Sequence, residues 1–154
     1  MNILPVSVST VTKAVERRLQ LDERLADVNI ERSAEINEIP SRCPWVGVYR
    51  AECAFPHRAL GTGITGWRGQ RVNVAILVQD SDPKAGDACE DRVNELVDKV
   101  LSVLLSDTTL GGAVQALDEV TVRYPDYRRV SDGPYMQTAM IFFTAITMVG
   151  GIQP

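Results

Sequence analysis

The single histidine of the chain, His57, is the first residue to consider for chemistry, because imidazole is the usual acid–base group near neutral pH. His57 lies between Pro56 and Arg58, and no serine or cysteine is tied to it by a recognisable nucleophile motif. A histidine in this setting is typical of a protein surface. The sequence therefore predicts no catalytic residue and no enzyme.

Residues 61–66, Gly-Thr-Gly-Ile-Thr-Gly, match the glycine pattern of dinucleotide-binding loops. That pattern holds a pyrophosphate only where it joins a strand to the N-terminus of a helix. Here the segment leads through Trp67 into residues with the alternation of a strand, so no helix dipole would face a phosphate. We interpret 61–66 as part of a flexible loop and predict no cofactor.

Asp80, Asp82 and Asp87 come nearest to a metal-binding spacing, but they lack the glycine and the terminal glutamate of an EF-hand. Turn formation and helix capping explain these aspartates better, so no metal site is predicted. Three cysteines are spread along the chain, at Cys43, Cys53 and Cys89. They form neither a metal motif nor a disulfide framework, which is typical of reduced thiols in an intracellular protein.

The 154 residues have the length of one domain, and 45% hydrophobic against 23% charged residues is close to the globular average. The formal net charge is −4, which makes a dedicated nucleic-acid binder a poor candidate. The N-terminus lacks the pattern of a signal peptide. The most apolar run, residues 140–149, is far shorter than the ~20 residues of a membrane helix. We expect a single domain over 1–154, in the cytoplasm and without a membrane partner.

Two helices are predicted from the spacing of apolar residues. The first covers residues 9–26, and Arg18 and Asp22 interrupt its apolar stripe at a spacing that lets them pair with each other. This interruption marks either the edge of the domain or a contact with another subunit. The second helix is expected to begin at Asp87, with Glu90 completing a capping box, and it carries one apolar face at the i, i+3, i+4, i+7 spacing.

Alternating or apolar segments predict about five strands, at residues 28–32, 45–53, 70–79, 120–124 with the residues after Pro125, and 135–148. Pro125 would bend its strand or confine it to an edge. The last strand is apolar on both faces, which is typical of a central strand or of one covered by a neighbouring chain. The expected fold is α+β, a mixed, mostly antiparallel sheet of about five strands packed by two helices.

A long glycine-rich loop, residues 54–69, joins two of these strands. It contains four glycines together with four large apolar residues, Phe55, Leu60, Ile64 and Trp67. A loop of this length is often functional. We expect it to be mobile in the free chain and to order on assembly, when these side chains are buried against a partner.

The order of elements and several segments resemble the tail terminator proteins of long-tailed bacteriophages, the group of the lambda minor tail protein U. The resemblance rests on four features: the amphipathic first helix, 39–40 followed by Pro44-Trp-Val-Gly-Val-Tyr, the segment Ser106-Asp-Thr-Thr-Leu-Gly-Gly after the second helix, and the final strand pair with 134–135. The likeness spans nearly the whole chain, and none of its motifs is catalytic.

The resemblance implies a structural virion protein. Members of this family form a hexameric ring that caps the finished tail tube, stops its polymerisation and presents a surface to the head, while DNA passes through the centre. The partners implied are the chain itself as a homohexamer, the tail tube protein and a head connector or head-closure protein. The implied location is the neck of the virion, after assembly in the host cytoplasm. A head-closure or head–tail adaptor ring and a small ligand-binding enzyme stay open as alternatives.

Charge suggests how such a ring would be oriented. DNA must pass through the ring without specific binding, and fixed positive charge would hold its phosphates. We therefore expect a neutral or acidic lumen lined by Asp80 and Asp82, which we place in a turn. Three arginines near one strand, Arg123, Arg128 and Arg129, would then face a partner protein. The open alternatives for these arginines are a contact with DNA phosphate and a charged edge that discourages aggregation.

Overall fold

The computed structural model describes residues 8–32, 43–54, 71–125, 128–129 and 135–147. Within these ranges, two α-helices lie against one face of a single sheet. The helices are α1 (Val8–Gln20) and α2 (Gly86–Ser106), and a 3₁₀ turn covers Glu23–Leu25. The strands are β1 (Asn29–Arg32), β2 (Trp45–Ala54), β3 (Arg71–Asp82), β4 (Ala116–Arg123), β5 (Arg128–Arg129) and β6 (Tyr135–Ile146).

The sheet has the strand order β1-β2-β3-β6-β4, and the two-residue β5 pairs with β6 beyond the end of β4. β1 and β2 are parallel, and the other neighbours are antiparallel. The sheet is therefore five strands wide, with β3 in the middle. This arrangement confirms the predicted mixed, mostly antiparallel sheet packed by two helices.

The core lies between the two helices and the inner face of the sheet. Every second residue of the three central strands points into it, because side chains of a strand alternate between faces. These residues are Val46, Val48, Val72, Val74, Ile76, Val78, Ala139, Ile141, Phe143 and Ala145. α1 packs on β1 and β2, and α2 packs on β3 and β6. Within the described ranges, neither helix is long and apolar enough to span a membrane.

Helix α1 ends at Gln20, earlier than the predicted residue 26. The chain leaves the helix at Leu21, and Asp22 then starts the 3₁₀ turn, because its carboxylate accepts a hydrogen bond from the backbone N–H of Arg24 at 2.9 Å. Leu25 is buried against the core at 2% exposure. The apolar spacing that suggested one long helix thus belongs to a helix and a separate turn.

The start of α2 also differs from the prediction. Ala85 occupies the position before the helix and makes no side-chain cap, so the expected capping box of Asp87 and Glu90 is wrong. Asp82 takes part of that role instead, since its Oδ1 accepts from the backbone N–H groups of Lys84 at 2.8 Å and Ala85 at 3.0 Å.

The edge strand β4 is irregular. A bulge interrupts its pairing with β6 between Asp118 and Thr121, and Glu119 has a φ of 52°. β4 ends at Arg123, two residues before Pro125, and the pairing resumes in β5. Of the two predicted effects of Pro125, the edge position is confirmed, since β4 lies at the edge of the sheet and ends before this proline. β6 lies between β3 and β4, which confirms its predicted central position.

Candidate functional site

The sheet face turned away from the helices, called the outer face here, is the most distinctive surface of the described chain. Trp45 and Leu77 are buried there, at 4% and 6% exposure, yet neither belongs to the core cluster between sheet and helices. Strand register arranges the outer side chains in rows that cross the sheet. Two of these rows are mainly apolar, and the rows on either side of them are polar.

The second row, counted from Trp45, crosses all five strands. Its members are Glu31, Gly47, Leu77, Met140 and Arg123. The third row consists of Tyr49, Ala75, Phe142 and Thr121. The second row therefore begins with an acid at the β1 edge, ends with a base at the β4 edge and is uncharged between them.

Polar pairs border these two rows on both sides. In the first row, the Nε2 of Gln79 donates to the Oγ1 of Thr138 at 3.3 Å. In the fourth row, the Oγ1 of Thr144 donates to the Oδ1 of Asn73 at 2.7 Å. Trp45, Leu77, Gln79 and Thr144 are each at most 7% exposed, so the middle of this face is already buried in the single chain.

Gly47 is the point where two aromatic rings of β2 lie over the backbone. A Cβ atom at this position would be 2.5 Å from Cη2 of Trp45 and 2.7 Å from Cε2 of Tyr49, so only glycine fits without a shift. The Trp45 ring is further held by a hydrogen bond from its Nε1 to the Oε2 of Glu31 at 3.2 Å. Burial, and after it the charge of Glu31, raises the pKa of Tyr49.

Arg123 forms the other end of the second row. Its guanidinium carbon lies 5.3 Å from the centroid of the Phe142 ring, within the range of a cation–π contact. The side chain of Arg123 is exposed. Arg128 and Arg129, the other two arginines of the predicted basic group, form β5, whose backbone pairs with β6.

The predicted pair of Arg18 and Asp22 does not form. The Nη2 of Arg18 donates to the Oγ of Ser106 at 3.0 Å, which ties α1 to the last residue of α2, while its Nε is buried without a hydrogen-bond partner. Asp22 binds Arg24 instead, through two side-chain hydrogen bonds of 2.8 Å. The chain turns at Leu21, so Asp22 no longer lies one helical turn from Arg18.

The bond to Arg24 dominates the electrostatics of Asp22. The side-chain hydrogen bonds from Arg24, with its backbone N–H as the next cause, lower the pKa of Asp22 to about 2. Arg24 itself has its pKa raised by the same bond. Both groups of this pair stay charged across the whole physiological range.

The expectation that Asp80 and Asp82 lie in an exposed turn is wrong. β3 continues through both residues, which pair with Gln137 and Tyr135 of β6 and face the helix side of the sheet. Each aspartate is only 8% exposed. Backbone hydrogen bonds from Lys84 and Ala85 lower the pKa of Asp82. A structural role at the start of α2 thus accounts for Asp82.

A cavity of about 300 Å³ opens beside these aspartates, between the 3₁₀ turn and α2. Its lining includes Arg24, Asp27, Cys43, Asp80, Arg92 and Lys99. The three basic side chains each pair with a carboxylate of the chain itself, at 2.8 Å for Arg24, 3.7 Å for Arg92 and 3.7 Å for Lys99. Burial raises the pKa of the Cys43 thiol to about 11, so this thiol is neutral at physiological pH and a weak nucleophile.

Other sequence expectations concern residues that the structure does not describe. The glycine-rich loop with Phe55, Leu60, Ile64 and Trp67 lies outside the described residues, as does His57. Within the described ranges, no group of three or more His, Cys, Asp or Glu residues could hold a metal ion.

Sequence reasoning overlooked the outer face as a surface. Its two ends, Glu31 and Arg123, are far apart in the chain, and only strand pairing brings them into one row. No family model matches this chain, and no curated protein sequence matches it either. The geometry of the described residues and the resemblance stated above therefore carry the functional argument.

Proposed function

We propose that this chain is a structural protein that forms a homo-oligomeric ring, most simply a hexamer, and caps a phage tail tube. In this role it stops tube polymerisation and offers a surface for joining the head, and DNA passes through its centre without specific binding. The resemblance to tail terminator proteins supplies the biological role. The shape of the described domain supports ring formation.

The observation that carries the proposal is the position of two exposed apolar side chains. Leu21 is 72% exposed where the chain leaves α1, the helix that packs on β1 and β2. Tyr124 is 59% exposed directly after β4, at the opposite edge of the sheet. Two different apolar residues on opposite sides of one domain favour a head-to-tail contact between subunits. Such contacts close into a ring when the rotation between neighbouring subunits divides a full turn.

The predicted contact residues lie beside these two points. Arg18 and Asp22 flank Leu21 in the sequence, and Arg123 precedes Tyr124. In the proposed ring, Leu21 of one subunit meets Tyr124 of the next. Asp80 and Asp82 have no part in the channel wall of this proposal, because both are buried against α2.

The ring contact is tested with Leu21→Glu and Tyr124→Glu, which place a charge at each proposed junction. Each variant alone should lose the ring. An equimolar mixture should stop at pairs of chains, because one intact junction remains between the unaltered Tyr124 side of one variant and the unaltered Leu21 side of the other. Leu105→Glu is the matched control, since Leu105 is 53% exposed on α2, which packs over the central strands.

The readouts are particle mass by light scattering and images of negatively stained particles. Rings that persist in both variants would refute the edge contact. The biological role needs a separate assay, in which the purified chain is added to polymerising tail tube protein. Tubes should then stop growing. A ring that leaves tube length unchanged and binds the head portal instead would identify a head-closure or adaptor protein.

A further inference from the structure

The cavity between the 3₁₀ turn and α2 has a buried carboxylate, that of Asp80, in its lining. Asp80 is 8% exposed, and its Oδ1 accepts a hydrogen bond from the backbone N–H of Ser81 at 2.7 Å. Among the described residues, no basic side chain forms an ion pair with Asp80. A carboxylate removed from water without a positive partner is costly in free energy. A cation that enters the cavity and reaches Asp80 therefore lowers this cost.

The three basic side chains that line the cavity are already neutralised by the ion pairs described above. Arg92 is held most firmly, since its Nε lies 3.7 Å from Oδ2 of Asp82 and its Nη1 donates to the backbone carbonyl of Ser81 at 3.3 Å. Two carboxylates of the lining then remain without a base, the buried one of Asp80 and the exposed one of Asp27. Within the described part of the lining, negative charge is thus in excess.

The remaining walls of the cavity are largely uncharged. Val28, Pro44 and Leu96 line it together with the thiol of Cys43, which is neutral at physiological pH. Leu96 is 5% exposed. Apolar walls of this kind favour methylene groups, because apolar area is removed from water on contact. The volume of about 300 Å³ is at the lower end of small-molecule sites, so a short ligand fits.

We propose that this cavity binds a short aliphatic diamine in its doubly protonated form. One ammonium group donates to the carboxylate of Asp80, and the methylene chain lies against Leu96 and Pro44. The second ammonium group reaches Asp27 on the exposed side. An ammonium group has three N–H donors, and its hydrogen bonds to a carboxylate are among the strong ones because both partners are charged.

An organic cation fits these residues better than a metal ion or an anion does. A divalent metal ion takes several oxygen ligands at once, and the described residues include no group of three or more His, Cys, Asp or Glu that could supply them. An anion would meet the uncompensated charge of Asp80. It would also have to compete with the carboxylates that already neutralise Arg24, Arg92 and Lys99.

Isothermal titration calorimetry with putrescine, a four-carbon diamine, tests the site. Wild type should bind one putrescine per chain, and n-butylamine, which has a single ammonium group, should bind more weakly. Asp80→Asn should weaken putrescine binding at least about tenfold, while its amide oxygen can still accept from the backbone N–H of Ser81. Asp98→Asn is the matched control, because Asp98 is exposed on α2 and does not line the cavity.

Thermal unfolding provides a second readout of the same variants. Putrescine should raise the melting temperature of wild type and leave that of Asp80→Asn unchanged. Without putrescine, Asp80→Asn should be at least as stable as wild type, because a buried charge without a positive partner has been removed. No binding at millimolar putrescine would overturn the proposal, and so would equal affinity in wild type and Asp80→Asn.

Lys99→Gln decides the sign of the ligand's charge independently of Asp80. The side chain of Lys99 is 44% exposed and pairs with Glu95, so the fold does not depend on it. If the ligand is a cation, this change frees a carboxylate of the lining and should strengthen putrescine binding severalfold. Weaker putrescine binding in Lys99→Gln, or binding of inorganic phosphate in place of putrescine, would refute the cation site.

The diamine site stands apart from the proposed ring, because its residues belong to one chain and do not include Tyr124. The Tyr124→Glu chain, which lacks a ring contact, should therefore bind putrescine with the affinity of wild type. That result would support a site built by the single chain whether or not rings form. Loss of binding in Tyr124→Glu would overturn the inference, because the site would then require a neighbouring subunit.

Discussion

Replacing Gly47 by alanine places a methyl group where two aromatic rings already lie. The new Cβ would be 2.5 Å from Cη2 of Trp45 and 2.7 Å from Cε2 of Tyr49. The Trp45 ring has little room to move away, because it is 4% exposed and its indole N–H is bound to Glu31. Inserting a methylene into a well-packed site costs about 1–3 kcal/mol.

A smaller term acts in the opposite direction. Alanine loses less backbone freedom than glycine on folding, which favours the variant by roughly 0.5–1 kcal/mol. The steric cost is the larger of the two, so Gly47→Ala should lower the free energy of unfolding by about 1–2 kcal/mol. For a chain of this length, that corresponds to a loss of ~2–8 °C in the melting temperature.

Urea denaturation followed by circular dichroism measures the change. A double-mutant cycle shows its cause: in a Trp45→Leu background only the contact with Tyr49 remains, and Gly47→Ala should then cost less. A Gly47→Ala chain as stable as wild type would refute the argument. So would an equal cost in both backgrounds, because the clash with the Trp45 ring could not then be its origin.

Three further predictions follow from the described geometry. Asp82→Ala should lower the melting temperature more than Asp87→Ala does, because Asp82 accepts two backbone hydrogen bonds ahead of α2, and thermal unfolding compares the two variants. Folding lowers the pKa of Asp22 from 3.8 to about 2. The contribution of this carboxylate to stability is therefore full above pH 3.8 and is lost as the pH falls towards 2. When unfolding is measured from pH 5 to 2, Asp22→Asn should lose less stability than wild type does. In a Cys53→Ser chain, Cys43 should react with iodoacetamide at pH 8 much more slowly than free cysteine does, because the pKa of its thiol is raised to about 11. Mass spectrometry measures the modified fraction of Cys43.

Local patterns were sufficient for much of this fold. The spacing along α2 and the two apolar faces of β6 are produced by side chains a few residues apart, so their burial could be read directly. Pro125 acts on its own backbone, and its effect on the edge strand was equally predictable.

The sequence predictions were wrong for polar residues whose local pattern fits more than one structure, such as a turn, a helix cap or the end of a strand. Asp82 and Asp87 both precede or open a helix, and the sequence alone favoured the later one as the cap. β3 continues through Asp80 and Asp82 because β6 pairs with it there, and that pairing depends on residues more than fifty positions away. The second row of the outer face depends on residues that are still farther apart in the sequence, since Glu31 lies at one edge of the sheet and Arg123 at the other.

The irregular edge at β4 disfavours the addition of a foreign strand to the sheet. A foreign strand can extend a sheet only along an unbroken series of free N–H and C=O groups. At β4 that series is interrupted by the bulge at Asp118–Thr121 and again at Pro125, so backbone templating is blocked at that end of the sheet. A neighbour on this side must be recognised through side chains such as Arg123 and Tyr124. Association at this edge therefore depends on the side chains of the neighbour, and open-ended pairing of backbones is disfavoured there.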